Sequence, residues 1–140
     1  MRLFFDTNIL LDVFPNRLGK ASSLMVLNAS VALGNEGWIA WHTLSNGFYI
    51  VRRETKSLNE AKRFTRELLI WCNVATVGTA EAVAADNMNR NDIEDAMQMA
   101  AAVACHSDVI ITRNLPDFVA SPIPALTPEQ FLERWPQPGD

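Results

Sequence analysis

The sequence predicts an α/β fold, a three-layer sandwich around a mostly parallel sheet of four or five strands. Three observations predict it. Leu3-Phe4-Phe5 and Val109-Ile110-Ile111 are short runs with no polar residue alternating among them, as strands buried on both faces require. The segments between them carry apolar residues at helical spacing, several behind clear capping signals. Strands alternating with helices favour parallel pairing, because each crossover lays its helix against a face of the sheet.

The elements follow in order. Leu3-Phe4-Phe5 is the first strand, and Asp6 falls just past its carboxyl end. Ile9, Leu10, Val13 and Phe14 then give a helical period that Pro15-Asn16-Arg17 breaks. A second helix is expected over 20–33, with Leu24, Leu27 and Val31 on one face and Gly34 as its left-handed terminator. Trp38-Ile39-Ala40-Trp41 reads as the second strand. Leu44, Phe48 and Val51 place a helix over 43–53.

Ser57-Leu58-Asn59-Glu60 is a capping box, in which the Ser oxygen meets one free N–H and the Glu reaches back to another. The helix it opens has a core stripe of Leu58, Ala61, Thr65, Leu68, Leu69 and Cys72. Ala75-Thr76-Val77 is a weak third strand, and a helix over 80–88 follows. Asn91-Asp92-Ile93-Glu94 is a second capping signal, whose Ala-rich helix runs to about Cys105 and suits close approach to the sheet. After the strand at 108–112, spaced prolines mark loops and Ala125-Leu126 gives a short last strand. Thr127-Pro128-Glu129-Gln130 caps the final helix, with Pro at its first position and Phe131, Leu132 and Trp135 packing it. Residues 1–135 read as a single domain and 136–140 as a tail.

The totals narrow the function. A chain of 140 residues, 49% apolar and 20% charged, can bury one substantial core and is not disordered. Its net charge of −4 draws no polyanion to the molecule as a whole, so a nucleic-acid partner needs a local basic patch or a metal. Cys72 and Cys105 lie in apolar helical surroundings and read as small buried hydrophobes, in keeping with a reducing compartment. No secretory leader or membrane span is evident, so a cytoplasmic location is expected.

Three stretches place acidic or amide groups at one edge of the expected sheet. Open α/β sheets bind ligands at that edge, where the loops beyond the strand ends leave a crevice. Asp6 follows the first strand. Thr112-Arg113-Asn114-Leu115-Pro116-Asp117-Phe118 follows the strand at 108–112. Asp92 and Asp95 stand three residues apart in a first helical turn and point to one side. Taken alone, Asp6 and Asn8 read as helix caps; the second acidic cluster turns the balance toward a site. Carboxylates brought together repel, and one is driven to hold a proton unless a cation intervenes. Oxygen-only donors suit Mg²⁺ or Mn²⁺. No His/Cys spacing for zinc, Gly-rich phosphate loop or nucleophile elbow is present, and His42 and His106 are isolated. Metal-assisted attack of water on a phosphodiester is the remaining chemistry.

Phe5-Asp6-Thr7-Asn8-Ile9-Leu10-Leu11-Asp12, Asp92-Ile93-Glu94-Asp95-Ala96 and Ile111-Thr112-Arg113-Asn114-Leu115-Pro116-Asp117-Phe118 together resemble the PIN domain family, and are most similar to bacterial VapC-type toxins. The resemblance extends to Leu126-Thr127-Pro128-Glu129-Gln130-Phe131-Leu132. Each motif is weak alone; their order and spacing are specific. The resemblance implies a metal-dependent ribonuclease, neutralised by a small antitoxin. It implies that Asp6 and Asp95 ligate Mg²⁺ or Mn²⁺, with Asp117 completing the acidic pocket beside Asn114. Thr112 would orient a ligand or water, Asn8 would hydrogen-bond Asp6 or its loop, and Asp92 would be a cap and outer group. Thr43-Leu44-Ser45-Asn46-Gly47 departs from the family pattern, placing Asn46 where a Glu is usual. An amide can position water but supplies no charge, so a weak or inactive family member that binds RNA or protein is the alternative reading.

For the RNA substrate, Arg113 beside the pocket is the single candidate phosphate contact. Arg52, Arg53, Lys56, Lys62, Arg63 and Arg66 are interleaved with Glu54, Glu60 and Glu67 and read first as a solvated face. Met25, Val26, Phe48, Tyr49, Met97 and Met99 are candidates for an antitoxin groove or a homodimer face, with plain core as the competing reading. A haloacid-dehalogenase-like phosphatase ranks last, because that chemistry needs a second Asp where this chain has Asn8.

Overall fold

The computed structural model describes residues 1–13, 21–32, 34–88 and 92–136. Phe14, the break at Pro15-Asn16-Arg17, the start of the second helix at Lys20, the side chain of Val31, the cap at Asn91 and tail residues 137–140 lie outside the description. Among the described residues five strands, β1 (Arg2–Phe5), β2 (Glu36–Ile39), β3 (Cys72–Val74), β4 (Val109–Ile111) and β5 (Ala125–Leu126), form one sheet in the order β3-β2-β1-β4-β5. Every pairing is parallel. The helices among the same residues are α1 (Thr7–Val13), α2 (Ala21–Ala32), α3 (Trp41–Thr55), α4 (Leu58–Trp71), α5 (Thr79–Asp86), α6 (Ile93–Ala104) and α7 (Pro128–Arg134), with a 3₁₀ turn at Leu115–Phe118.

The sheet is covered on both faces because its central strand is apolar on both. Leu3 and Phe5 point to one side and pack with Ile9, Leu10, Leu27, Phe64, Leu68 and Phe131. Phe4 points to the other side and packs with Met99, Ala102, Ile110 and Phe118. The Ala-rich face of α6 lets that helix lie close against the sheet, as its composition predicts. The strand order reverses between β1 and β4. In open α/β sheets, the carboxyl ends of strands at such a reversal are where ligand crevices form.

Several boundaries differ from the sequence reading. β2 ends at Ile39, and Trp41 instead opens α3 with 67% of its surface exposed. β3 is Cys72–Val74 rather than 75–77, because register with β2 pairs Gly37 with Cys72 and Ile39 with Val74. On α4 the buried stripe is Ala61, Phe64 and Leu68; Leu58 and Leu69 are exposed. On α2, Leu24 is exposed and Ser23 and Ser30 take the inner face. Ser30 Oγ donates to the Leu27 carbonyl (2.6 Å), and Ser23 Oγ accepts from Arg113 (2.6 Å), so both hydroxyls are buried with partners. Thr127 and Gln130 form the expected capping box on α7, whereas on α4 Ser57 Oγ accepts from the Glu60 N–H. Gly34 has φ +72°, as a left-handed terminator requires.

Gly47 sets how closely α3 and α4 pack. A Cβ at this position would lie 2.2 Å from Phe64 Cε1 and 2.6 Å from Cζ, and Phe64 is fully buried. Gly47→Ala is therefore expected to destabilise the protein by about 1–3 kcal/mol through overpacking, in spite of the roughly 1 kcal/mol that Ala gains in helix propensity. A urea midpoint equal to that of the parent would show that the ring repacks freely.

Candidate functional site

Asp6 is the first residue beyond β1, and only 3% of its surface is exposed. Its N–H donates to the Ile111 carbonyl (3.0 Å), which ties the start of the loop to β4. Three donors meet the carboxylate. Gln98 Nε2 donates to Oδ1 (3.1 Å), the Asn8 N–H donates to Oδ1 (3.4 Å), and Thr112 Oγ1 donates to Oδ2 (2.8 Å). Burial nonetheless raises the Asp6 pKa; the Gln98, Thr112 and Asn8 contacts pull it back, and nearby Glu94 adds to the rise.

Two loops hold the rest. Thr112 is fully buried, and its Oγ1 also accepts from the Asn114 N–H (3.0 Å), which fixes the turn after β4. The Asn114 amide donates to Asp117 Oδ2. At the start of α6, Asp92 Oδ1 accepts from the Glu94 N–H (2.9 Å), so Asp92 is the helix cap. Asp95, one turn on, is half-buried. Its pKa rises to about 7, first from burial and then from the negative charges of Asp92, Asp117, Glu94 and Asp6. Segments from distant parts of the chain thus bring Asp6, Asp92, Asp95 and Asp117 within electrostatic reach of one another.

Three further groups join here: Gln98, absent from the sequence reading; Glu94, read only as part of a capping signal and motif; and His42, read as isolated but paired with Glu94. Gln98 is fully buried, and its Nε2 spans Asp6 Oδ1 and Glu94 Oε2 (3.2 Å) while its Oε1 accepts from the Thr7 N–H (3.2 Å). Glu94 Oε1 lies 3.2 Å from His42 Nε2. Burial raises the Glu94 pKa, but the His42, Gln98 and Asp95 contacts outweigh it and the net shift is downward. A lone Gln in the Ala-rich stripe of α6, four residues after a Glu, was the available signal, because a polar side chain on a buried face needs partners.

The remaining expected residues are placed differently. The Asn8 side chain is exposed, and only its backbone N–H reaches Asp6. Asn46 is exposed on α3, and among the described residues it makes no hydrogen bond to the acidic groups; it lies one turn beyond His42 on the same helix. Arg113 uses four of its five N–H donors on neighbouring side chains. Its Nε donates to Asp12 (2.9 Å), Nη1 to Glu129 (3.0 Å), and Nη2 to Ser22 (3.2 Å) and Ser23 (2.6 Å). It clasps α1, α2 and α7 to the β4 loop. His106 is exposed, with φ 55°, in the turn after α6.

The donor set fits a hard divalent cation in kind: carboxylate, amide and hydroxyl oxygens, with one carboxyl held toward its protonated form by burial and then by like charges. Among the described residues no three His, Cys, Asp or Glu side chains stand close enough to hold one ion together as they lie. Gln98, Thr112 and Asn114 anchor the carboxylates separately, and mutual repulsion works against closer approach.

The sequence profile described as PIN domain matches residues 2–116. No curated protein sequence matches the chain. Among solved structures, the chain is similar to one in VapBC2 from Rickettsia felis bound to a promoter DNA fragment, with 16% identity, a TM-score of 0.70, and coverage of 91% of this chain and 98% of that one. It is similar to one in a toxin-antitoxin complex from Klebsiella pneumoniae, with 25% identity, a TM-score of 0.69, and coverage of 90% and 97%. It is also similar to one in VapBC-1 from nontypeable Haemophilus influenzae, with 14% identity, a TM-score of 0.70, and coverage of 92% and 99%.

Proposed function

The chain belongs to the PIN domain family, and from that premise we propose that it is a metal-dependent endoribonuclease acting as the toxin of a toxin–antitoxin pair. The observation that carries this reading is that segments far apart in the chain bring Asp6, Asp92, Asp95 and Asp117 within reach of one another's charge beside the strand-order reversal. Asp6, Asp95 and Asp117 would hold Mg²⁺ or Mn²⁺, which would supply screening of phosphate charge and a lower pKa for the water whose hydroxide form attacks phosphorus.

The chain's own residues prepare the site. Thr112 and Gln98 hold opposite oxygens of Asp6, so that the carboxylate keeps one orientation. Asn114 holds Asp117, and Asp92 fixes the start of the helix that presents Asp95. Arg113 is the proposed phosphate contact, and Asp12 and Glu129 hold its guanidinium in place.

A small antitoxin is the proposed partner, supported by the toxin-antitoxin complexes whose chains share this fold. Of the residues offered for a partner or dimer face, Val26 and Met99 are buried in the core, Met25, Phe48 and Met97 are half-buried, and Tyr49 is exposed. The domain reading is kept at 1–135. No helix among the described residues is long and apolar enough to cross a membrane; the cytoplasm is the proposed location.

The test is cleavage of labelled RNA in Mn²⁺. The parent protein is expected to cut, EDTA to stop it, and Asp6→Ala to lower the rate by at least about 100-fold, as expected for loss of an ion-binding carboxylate. Cleavage that persists in that variant would place the activity elsewhere. One observation favours a second reading, a non-cleaving module that binds RNA or protein: position 46 carries an exposed, uncharged amide. Asn46→Glu separates the two, since a site short of charge gains Mn²⁺ affinity and turnover from it, whereas a binding module still does not cut.

A further inference from the structure

Glu94 has an environment that a helix-surface carboxylate does not need. It occupies the first turn of α6, where solvation and the helix dipole would suffice to stabilise it. Instead its two oxygens are held separately, Oε1 by His42 from α3 and Oε2 by the buried Gln98 amide. The same amide nitrogen donates to Asp6 Oδ1, so one NH₂ group spans two carboxylates. The Gln98 oxygen is fixed in turn by the Thr7 N–H, and this assigns the amide orientation, because the opposite flip would set N–H against N–H. Thr7 is itself tied to Thr43 through their hydroxyls (2.9 Å), on the helix that carries His42.

We infer that Glu94 is a further acidic group of the proposed ion site, set beside Asp6 and Asp95 by the fully buried Gln98 and by His42. The inference rests on the ribonuclease reading above and adds to it the residue that supplies extra negative charge and the one that positions it. A neutral amide suits the bridging place. A cationic side chain between Asp6 and Glu94 would neutralise both and compete with the ion, whereas Gln98 fixes their geometry and leaves their charge available. Gln98 is the positioning residue, acting on an ion only through the two carboxylates it holds.

The test is Mn²⁺ titration calorimetry on the parent protein, Glu94→Gln and Asp95→Asn, with thermal melts confirming that each variant folds. Glu94→Gln keeps an oxygen acceptor and the side-chain shape but removes the charge. It is expected to weaken Mn²⁺ binding about 10-fold or more, with the ion-free melting temperature little changed. Full parent affinity in Glu94→Gln, with affinity lost in Asp95→Asn, would overturn the inference while leaving the ion site standing. If the parent binds no Mn²⁺, or Asp95→Asn binds it as the parent does, the ribonuclease reading fails and takes the inference with it.

Discussion

Asp95→Asn is expected to make the ion-free protein more stable above neutral pH while abolishing ion binding and cleavage. The folded protein raises the Asp95 pKa from 3.8 to about 7, through burial and then the surrounding carboxylates. A raised acid favours the folded state only in its protonated form. Its penalty is absent below about pH 4, grows as the unfolded chain ionises first, and is complete above about pH 7. Asp95 is partly open to solvent, and with screening allowed for, the penalty is on the order of 1–2 kcal/mol. Asn removes the charge and keeps the shape. The melting temperature of the variant should exceed that of the parent by a few degrees at pH 8, and the gap should narrow toward pH 5. A gap that is absent or reversed at pH 8 would mean that Asp95 does not feel its neighbours.

Gln98→Leu is expected to have the opposite sign. The substitution is close to volume-conserving, yet it removes the donor to Asp6 and Glu94 and the acceptor for the Thr7 N–H, all at a fully buried position. Leaving a buried carboxylate and a backbone N–H without these partners costs about 2–4 kcal/mol. Urea denaturation should show that loss as a lower midpoint with an unchanged slope. A loss under about 0.5 kcal/mol would show that water replaces the amide, and that Gln98 does not fix the carboxylates.

Most of the architecture was legible because periodicity and caps are local. The apolar runs at Leu3–Phe5 and Val109–Ile111, the Thr127 capping box and the Gly34 terminator depend on neighbours a few residues away, and the structure has each of them. What was not legible is set by partners distant in the chain. Register with β2 places β3 at Cys72–Val74 and leaves Thr76 and Val77 outside it. Contact with α3 selects Phe64 as the inner residue of α4 over Leu58 and Leu69.

The site divides in the same way. Asp6 and Thr112 were readable because each follows an obvious strand, and a direct hydrogen bond joins them. The partners of Arg113 were not readable, because Asp12 and Glu129, far away in sequence, hold its guanidinium. Gln98 gave no motif, Glu94 read only as part of a capping signal and His42 as isolated; their network exists only once α3 and α6 meet beside β1.

The most direct measurement is an anomalous difference map from crystals of the parent protein grown with Mn²⁺. The expected result is one strong peak in the crevice beyond β1 and β4, within ligating distance of the Asp6 and Asp95 carboxylates and faced by Asp117. A map with no peak there, or with Mn²⁺ bound only at other carboxylates, would contradict the account.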